Sequence, residues 1–196
     1  MTLPLDILDL TPVPAGVPAA TAVANTLDLA VRAEPWGYGR FWLAEHHNTP
    51  GMACPAPEVL IGHVADRTRT MRIGSGGIML PNHSPLHVAE AFRLLEALHP
   101  GRIDLGLGRA PGTDGVTAHA LRRGAPGADD FAQQLATMQA FCDGGFPGDH
   151  PYARVAAEPA GVPLPPVWIL GSSDYGPRAA AQFGTGFAFA RHLNPS

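Results

Sequence analysis

The chain of 196 residues contains no lysine, so all thirteen of its lysine-plus-arginine positions are arginine. Without a side-chain amine there is no Schiff-base chemistry and no covalent attachment of pyridoxal phosphate. The lysine of the phosphate loop in nucleotide hydrolases is missing for the same reason. Abundant glycine, proline, alanine and arginine point to a GC-rich genome as the source of the bias, but the exclusions hold whatever its cause. Cysteine is nearly absent as well: Cys54 and Cys142 are too few for a disulfide framework. Charged residues make up only 15% of the chain, the formal net charge is −4, and the arginines are scattered. No basic stripe exists to track a nucleic acid, and nothing draws the chain to an anionic membrane. No apolar run has the form of a signal peptide or a transmembrane helix. These absences predict a protein of the reducing cytoplasm with neither nucleic-acid nor membrane partners.

What is present is a repeated beat of strand and helix. Leu3 to Leu10 reads as a first strand, closed by the Pro/Gly cluster from Thr11 to Pro18. Ala19 to Glu34 has helical spacing and is stopped by Pro35-Trp-Gly37. Arg40 to Ala44 is a second strand. Pro57 starts a helix to about Arg69, and Pro85 starts another whose apolar stripe is Val88, Phe92, Leu95 and Leu98. Between these helices Met71 to Ile73 runs through four small residues into Ile78-Met-Leu80. Arg102 to Gly108 follows. From Gly112 to Pro163 the beat weakens to a single helix, Asp129 to Cys142, and Gly144 to Pro166 reads as a long excursion. Val167 to Leu170 is a buried strand, Pro177 opens a helix to Phe183, and Gly186 to Ala190 is a sixth strand ending in Arg191-His192.

Strands alternating with helices predict a mostly parallel α/β sheet, which right-handed crossovers curl toward a (β/α)8 TIM barrel. Such a barrel needs eight strands and typically about 250 residues. With about six of eight β/α units visible, residues 1–196 are expected to be the N-terminal portion of one barrel domain. The expectation for the chain as it stands is an incomplete barrel.

The strands end in chemically capable residues, as the active face of such a barrel requires. Glu45-His46-His47 follows the second strand. Alternation aims the two histidines in different directions, so at most one lines a pocket; equally, one bonds into the barrel rim and the other stays solvated. Adjacent histidines chelate a metal poorly, and no carboxylate–histidine spacing follows them. His83 and His87 are four apart, but Pro85 separates them. They read as a loop histidine and a helix-surface histidine. Gly106-Leu-Gly108 starts like a dinucleotide fingerprint and fails at Pro111. Its small residues are expected to let a ligand approach the strand. Arg109 either grips a phosphate or carboxylate or pairs with Asp104 or Asp114. Gly171 to Pro177 joins hydroxyls to a helix start, which serves anion binding, simple capping by Ser173 or Asp174, or both.

Four stretches carry a resemblance. They are Arg40-Phe-Trp-Leu-Ala-Glu-His-His-Asn48, Gly74-Ser-Gly-Gly-Ile-Met-Leu-Pro-Asn-His83, Pro100-Gly-Arg-Ile-Asp-Leu-Gly-Leu-Gly-Arg-Ala-Pro-Gly112 and Leu170-Gly-Ser-Ser-Asp174. Together they resemble the bacterial luciferase-like flavin-dependent monooxygenase family, above all its generic group 1 oxidoreductase branch. The likeness runs from about Leu3 to the last residue. It implies the (β/α)8 barrel, usually in a homodimer, with two further β/α units. It also implies reduced FMN at the strand C-termini. His46 then falls at the position of the family's active-site histidine. Gly76 and Gly77 match the place where unusual backbone packs against the flavin ring. Arg109 matches a phosphate-binding arginine, and Ser172 and Ser173 lie in the loop that contacts the same phosphate. One position departs: Gly176, followed by Pro177, stands where related sequences usually carry a hydroxyl, which implies one phosphate contact fewer.

The first expectation is therefore a two-component monooxygenase that takes reduced FMN from a separate flavin reductase and acts with dioxygen on a small organic molecule. A deazaflavin (F420)-dependent oxidoreductase is its rival within the enzyme class. A truncated, inactive relative that at most binds flavin or a partner is the rival outside it. A metal-dependent barrel hydrolase using His46 or His47 ranks last.

Overall fold

The computed structural model describes residues 3–122, 130–191 and 193. Its strands are β1 (Ile7–Asp9), β2 (Arg40–Leu43), β3 (Arg72–Ser75), β4 (Ile78–Met79), β5 (Ile103–Gly108), β6 (Val167–Gly171) and β7 (Gly186–Phe189). Its helices are α1 (Ala19–Ala33), α2 (Pro57–Arg67), α3 (Pro85–Leu98), α4 (Gly115–Arg122), α5 (Phe131–Asp143) and α6 (Tyr175–Phe183). Every strand pairing is parallel, in the order β1-β2-β3-β5-β6-β7, with β4 also beside β5. β3 and β4 are two halves of one barrel strand, interrupted at the cis Gly76–Gly77 peptide. Six barrel positions are thus filled, and the sheet is an incomplete (β/α)8 barrel.

The sheet is strongly curled. Trp42 on β2 and Trp168 on β6 stand three positions apart in the strand order, yet their ring centroids are 5.7 Å apart. On a flat sheet that step would separate them by about 14 Å. The curl leaves two apolar layers with different tasks. Phe41, Leu43, Ile73, Ile103, Leu105 and Leu107 are fully buried in the layer shared with the helices. All six residues of β5 are buried, as expected for a parallel strand covered on both faces.

The barrel interior at the N-terminal strand ends is built around a charge. The Asp104 carboxylate, fully buried, accepts from Arg40 Nε at 3.2 Å, Trp42 Nε1 at 3.2 Å and Arg72 Nε at 3.0 Å. Arg40 also lies 5.3 Å above the Trp168 ring. One carboxylate therefore ties β2, β3 and β5 together at the end of the barrel that governs stability.

Local signals set most of the helix boundaries. Pro57 and Pro85 occupy first turns, where a missing N–H costs nothing. Gly144 and Gly184, at φ 69° and 65°, end α5 and α6 in the left-handed conformation. Three expectations are corrected. α4 was not anticipated; its start is capped by Asp114, whose Oδ1 accepts from the Val116 and Thr117 N–H groups at 3.0 Å. α6 begins at Tyr175, before Pro177, and neither Ser173 nor Asp174 caps it: Asp174 is the N-cap but makes no side-chain cap bond. It pairs with Arg178 instead, at 2.8 Å. α5 starts at Phe131, and the expected start at Asp129, like His192 at the end of the sixth strand, lies outside the described residues. The excursion from 144 to 166 carries no helix or strand, and buried Arg93 on α3 holds it by donating to the Ala157 and Val162 carbonyls. Among the described residues no helix is long and apolar enough to cross a membrane.

Gly106 is small for its neighbours rather than for a ligand. A Cβ there would stand 2.0 Å from the Ser75 carbonyl oxygen and 2.9 Å from Leu170. Ser75 Oγ completes the contact, donating to the Gly106 carbonyl at 2.8 Å and accepting from its N–H at 2.9 Å. Gly106→Ala is expected to destabilise the chain by about 3 kcal/mol, the upper range of overpacking costs. Chemical denaturation monitored by circular dichroism measures this, and a midpoint equal to the wild type's would refute the packing argument.

Candidate functional site

The C-terminal strand ends surround a cavity of about 470 Å³. His46, Gly76, Gly77, Arg109, Ser172 and Ser173 all line it, although they come from three strand–helix connections and the break between β3 and β4. Leu8, Met52, Met79, Phe131 and Tyr175 make most of the remaining wall apolar. Arg109 stacks 4.3 Å over the Tyr175 ring, at the first residue of α6. A cation, two hydroxyls and a helix N-terminus therefore meet at one side of an otherwise greasy chamber. That is the chemistry of a site for an aromatic body carrying an anionic group.

Glycine makes the opposite side. Cβ atoms at Gly76 and Gly77 would stand 2.5 Å from Leu8 and 2.7 Å from the Gly106 carbonyl oxygen. The backbone there is bracketed by β2: the Gly76 N–H donates to Leu43 O at 2.8 Å, and the Glu45 N–H to Gly77 O at 3.3 Å. At Gly176 a Cβ would meet the Phe187 ring at 2.4 Å. A side chain at this position has no room, because the Phe187 ring fills its place.

The two adjacent histidines part company. His46 lines the cavity, and among the described residues its buried Nδ1 has no hydrogen-bond partner. Burial lowers its pKa below the ordinary 6.5, against the Ala44 carbonyl and the Glu45 charge, which raise it. Its imidazole is therefore neutral at pH 7 and has one acceptor nitrogen to offer. His46 and Met52 also wall a second hollow of about 460 Å³ beside α1.

His47 turns the other way, into a group that the sequence did not reveal. Its Nε2 lies 2.7 Å from Glu45 Oε1, and the His83 Nε2 lies 2.9 and 3.0 Å from the two Glu45 oxygens. The Met79 N–H donates to Glu45 Oε2 at 2.8 Å and Asn82 Nδ2 to Oε1 at 3.3 Å. His83 is a loop histidine before Pro85, as expected; its bond to Glu45 was not foreseen. Glu45 is 0% exposed. Burial raises its pKa, but hydrogen bonding and charge from His83, the Met79 N–H and His47 outweigh it, so the net value lies below 4.5. Burial likewise lowers the His83 pKa, and the Glu45 hydrogen bond and charge, with the Glu58 charge, outweigh it to a value above 6.5. Nothing in the sequence aligns Glu45 with His83, 38 positions away; only strand pairing does. As for Arg109, the two carboxylates weighed as its partners are engaged elsewhere, Asp104 in the barrel interior and Asp114 at α4 and Asn48.

The family model described as luciferase-like monooxygenase matches residues 3–196. The Bacillus subtilis protein YvbT is 51% identical over 193 residues, 98% of this chain and 56% of its own length. A luciferase-like monooxygenase of Escherichia coli is 50% identical over 195 residues, 99% of this chain and 57% of that protein. The N-acetyl-S-alkylcysteine monooxygenase of Bacillus subtilis is 42% identical over 191 residues, 97% of this chain and 57% of that enzyme. The chain thus spans little more than half the length of these relatives. Among solved structures, apo-MsnO8 superposes with a TM-score of 0.89 at 38% identity, over 98% of this chain and 56% of its own. Two more distant structures share the fold. The oxygenating constituent of the Pseudomonas putida 3,6-diketocamphane monooxygenase, in complex with FMN, gives a TM-score of 0.74 at 19% identity over 95% of this chain and 57% of its own. An F420-dependent secondary alcohol dehydrogenase gives 0.68 at 17% over the same shares.

The Glu45–His83 pair has a pH signature. The raised His83 value contributes stability that is complete below the unfolded 6.5 and is lost as pH rises through the folded value. The lowered Glu45 value contributes stability that is present above the unfolded 4.5 and is lost as pH falls through the folded value. Melting temperature in the wild type should therefore fall on the alkaline side of about 6.5, and the fall should be shallower in His83→Gln. Parallel alkaline limbs in thermal melts of the two proteins would exclude the pair as its source.

Proposed function

This chain belongs to the luciferase-like monooxygenase family, and from that premise we propose that it binds reduced FMN and acts with dioxygen to oxygenate a small organic substrate. The observation that carries the reading is the convergence of His46, Gly76, Gly77, Arg109, Ser172 and Ser173 on one cavity from distant parts of the chain. The residues fit the cofactor. The Gly76–Gly77 backbone offers a face with no side chain to a flat ring, and the orphaned His46 Nδ1 stands on the same cavity. Arg109, Ser172, Ser173 and the start of α6 bind the phosphate. FMNH₂, when bound, supplies the electrons that activate dioxygen.

The protein's own contribution is position, dryness and proton control. Apolar walls at Leu8, Met52, Met79 and Phe131 keep water from the flavin ring. His46, neutral at pH 7 and half-buried, holds or moves a proton at Nδ1. Reduced FMN comes from a separate flavin reductase. Residues 1–196 form the N-terminal portion of the barrel domain and contain this cofactor half of the site. The enzyme works as a homodimer, supported by Val59, Leu94 and Leu98, which expose 58%, 54% and 64% of their surface on α2 and α3. Free Cys54 and Cys142 agree with a cytoplasmic setting.

Titration of the chain with reduced and oxidised FMN, followed by flavin fluorescence, tests the reading. The reduced form is expected to bind preferentially. Arg109→Ala should weaken it about tenfold or more, the loss of a hydrogen bond to a charged group. Binding of deazaflavin in place of FMN would move the chain to the hydride-transfer branch. Binding of neither would remove the cofactor reading for this chain.

A further inference from the structure

The group around Glu45 has no part in the function proposed above, yet it touches three of the four segments that the function uses, those holding His46, Gly76–Gly77 and Arg109. Glu45 follows β2 directly and precedes His46. Its carboxylate receives the Met79 N–H from β4 and the side chains of Asn82 and His83 from the turn after it. Its own N–H donates to Gly77 O. Asn82 Nδ2 also donates to Pro111 O at 2.8 Å, two residues past Arg109. Thr113 Oγ1 donates to His47 O at 2.9 Å, and Asn48 Nδ2 to Asp114 Oδ2 at 3.0 Å. The loops after β2, β4 and β5 thus share one buried anion and the bonds that radiate from it.

Each of the four groups on the carboxylate is a donor. A carboxylate only accepts, so His47 and His83 both carry their proton on Nε2. The oxygens are filled, Oε1 by His47, His83 and Asn82, Oε2 by Met79 and His83. A metal ion is the competing explanation, because Glu45, His47 and His83 offer ligand atoms within 4.8 Å of one another. The spacing argues against it. Ligands on one tetrahedral zinc stand about 3.3 Å apart, whereas Glu45 Oε1 lies 2.7 and 2.9 Å from the two imidazole nitrogens. Those are separations with a proton between the atoms.

We propose that Glu45 is a positioning residue: by accepting from the loops after β2 and β4, and through Asn82 from the loop after β5, it holds His46, the Gly76–Gly77 backbone and Arg109 in one arrangement. The loop-holding half stands on this geometry alone. The consequence for flavin rests on the function proposed above. Removal of the charge, not of the bulk, is the decisive change. Glutamine matches glutamate in size but turns an N–H toward the shell of donors. Either one tie is lost or an imidazole must move its proton to Nδ1, and the charge that draws the loops together is gone in both cases.

The experiment uses the 196-residue chain with Glu45→Gln and Asn82→Ala. It reads the melting temperature, the amide resonances of His46, Gly77 and Ala110, reduced-FMN affinity and bound zinc. Glu45→Gln is expected to fold, to shift all three amides and to raise the FMN dissociation constant about tenfold or more. Asn82→Ala keeps the anion and cuts the tie to Pro111, so it should shift Ala110 more than Gly77. A folded Glu45→Gln with wild-type amides and wild-type affinity overturns the proposal. So does stoichiometric zinc in the wild type that disappears in Glu45→Gln. If Glu45→Gln does not fold, the amide pattern of Asn82→Ala decides. If the wild type binds no FMN, the flavin reading fails separately, and the three amides still decide whether Glu45 holds the loops.

Discussion

Of the seven glycines where a Cβ would lie within 2.7 Å of a neighbouring atom, four, Gly74, Gly76, Gly77 and Gly106, lie together on and between β3, β4 and β5. For these four, three of the neighbours are backbone carbonyl oxygens of β3 and β5 and the fourth is the Leu8 side chain on β1. The constraint is mutual: β3, β4 and β5 can lie this close only because the space is empty of side chains. The cavity depends on it. A barrel interior is normally filled by layers of side chains, and here the glycine patch clears part of that layer at the level of the strand C-termini. Below the patch the interior is filled again, by Trp42, Trp168 and the arginines around Asp104. The chamber is thus a gap left in an otherwise packed core, with backbone for one wall.

Two buried carboxylates bracket that gap, and they obey the same rule. A buried anion is tolerable only when donors surround it. Asp104 collects Arg40, Trp42 and Arg72 at the N-terminal ends of the strands, while Glu45 collects His47, His83, Asn82 and Met79 at the C-terminal ends. Each gathers partners from neighbouring strands, so each works as a tie across the sheet. The chemistry differs with the end. Two arginines make the tie at the stable end of the barrel. At the mouth the His83 pKa is raised by the Glu45 hydrogen bond and charge, which makes that tie sensitive to pH.

The six strands and the helices opened by Pro57 and Pro85 were legible because local chemistry dictates them: alternation, proline in a first turn, glycine after the last. α4 escaped because the run Gly115-Val-Thr-Ala-His-Ala-Leu-Arg122 is only eight residues long and opens on glycine and two β-branched residues, all poor helix formers, and because its cap, Asp114, reads equally as a partner for Arg109. The start of α6 was misplaced because Pro177 suggested a first position, whereas proline is tolerated two residues later within the same first turn. Gly106 and Gly108 suggested room for a ligand; at Gly106 the room is taken by Ser75, while Gly108 lines the cavity.

Position at a strand end made His46, Arg109, Ser172 and Ser173 candidates, because in a parallel barrel all strand ends share one face. It left each open between site and scaffold; only the family resemblance added Gly76 and Gly77 and joined the six into a set. Periodicity and turn residues act over a few positions, so they carry the strand ends through the chain order alone. The pairing of Glu45 with His83, the empty place at Gly176 filled by Phe187 and the close approach of β3 to β5 were beyond reach. Each joins residues from 11 to 38 positions apart, at distances fixed by register and by the curl of the sheet. Such contacts arise when strands twist and close on one another, and no local preference along the chain encodes which side chains will meet.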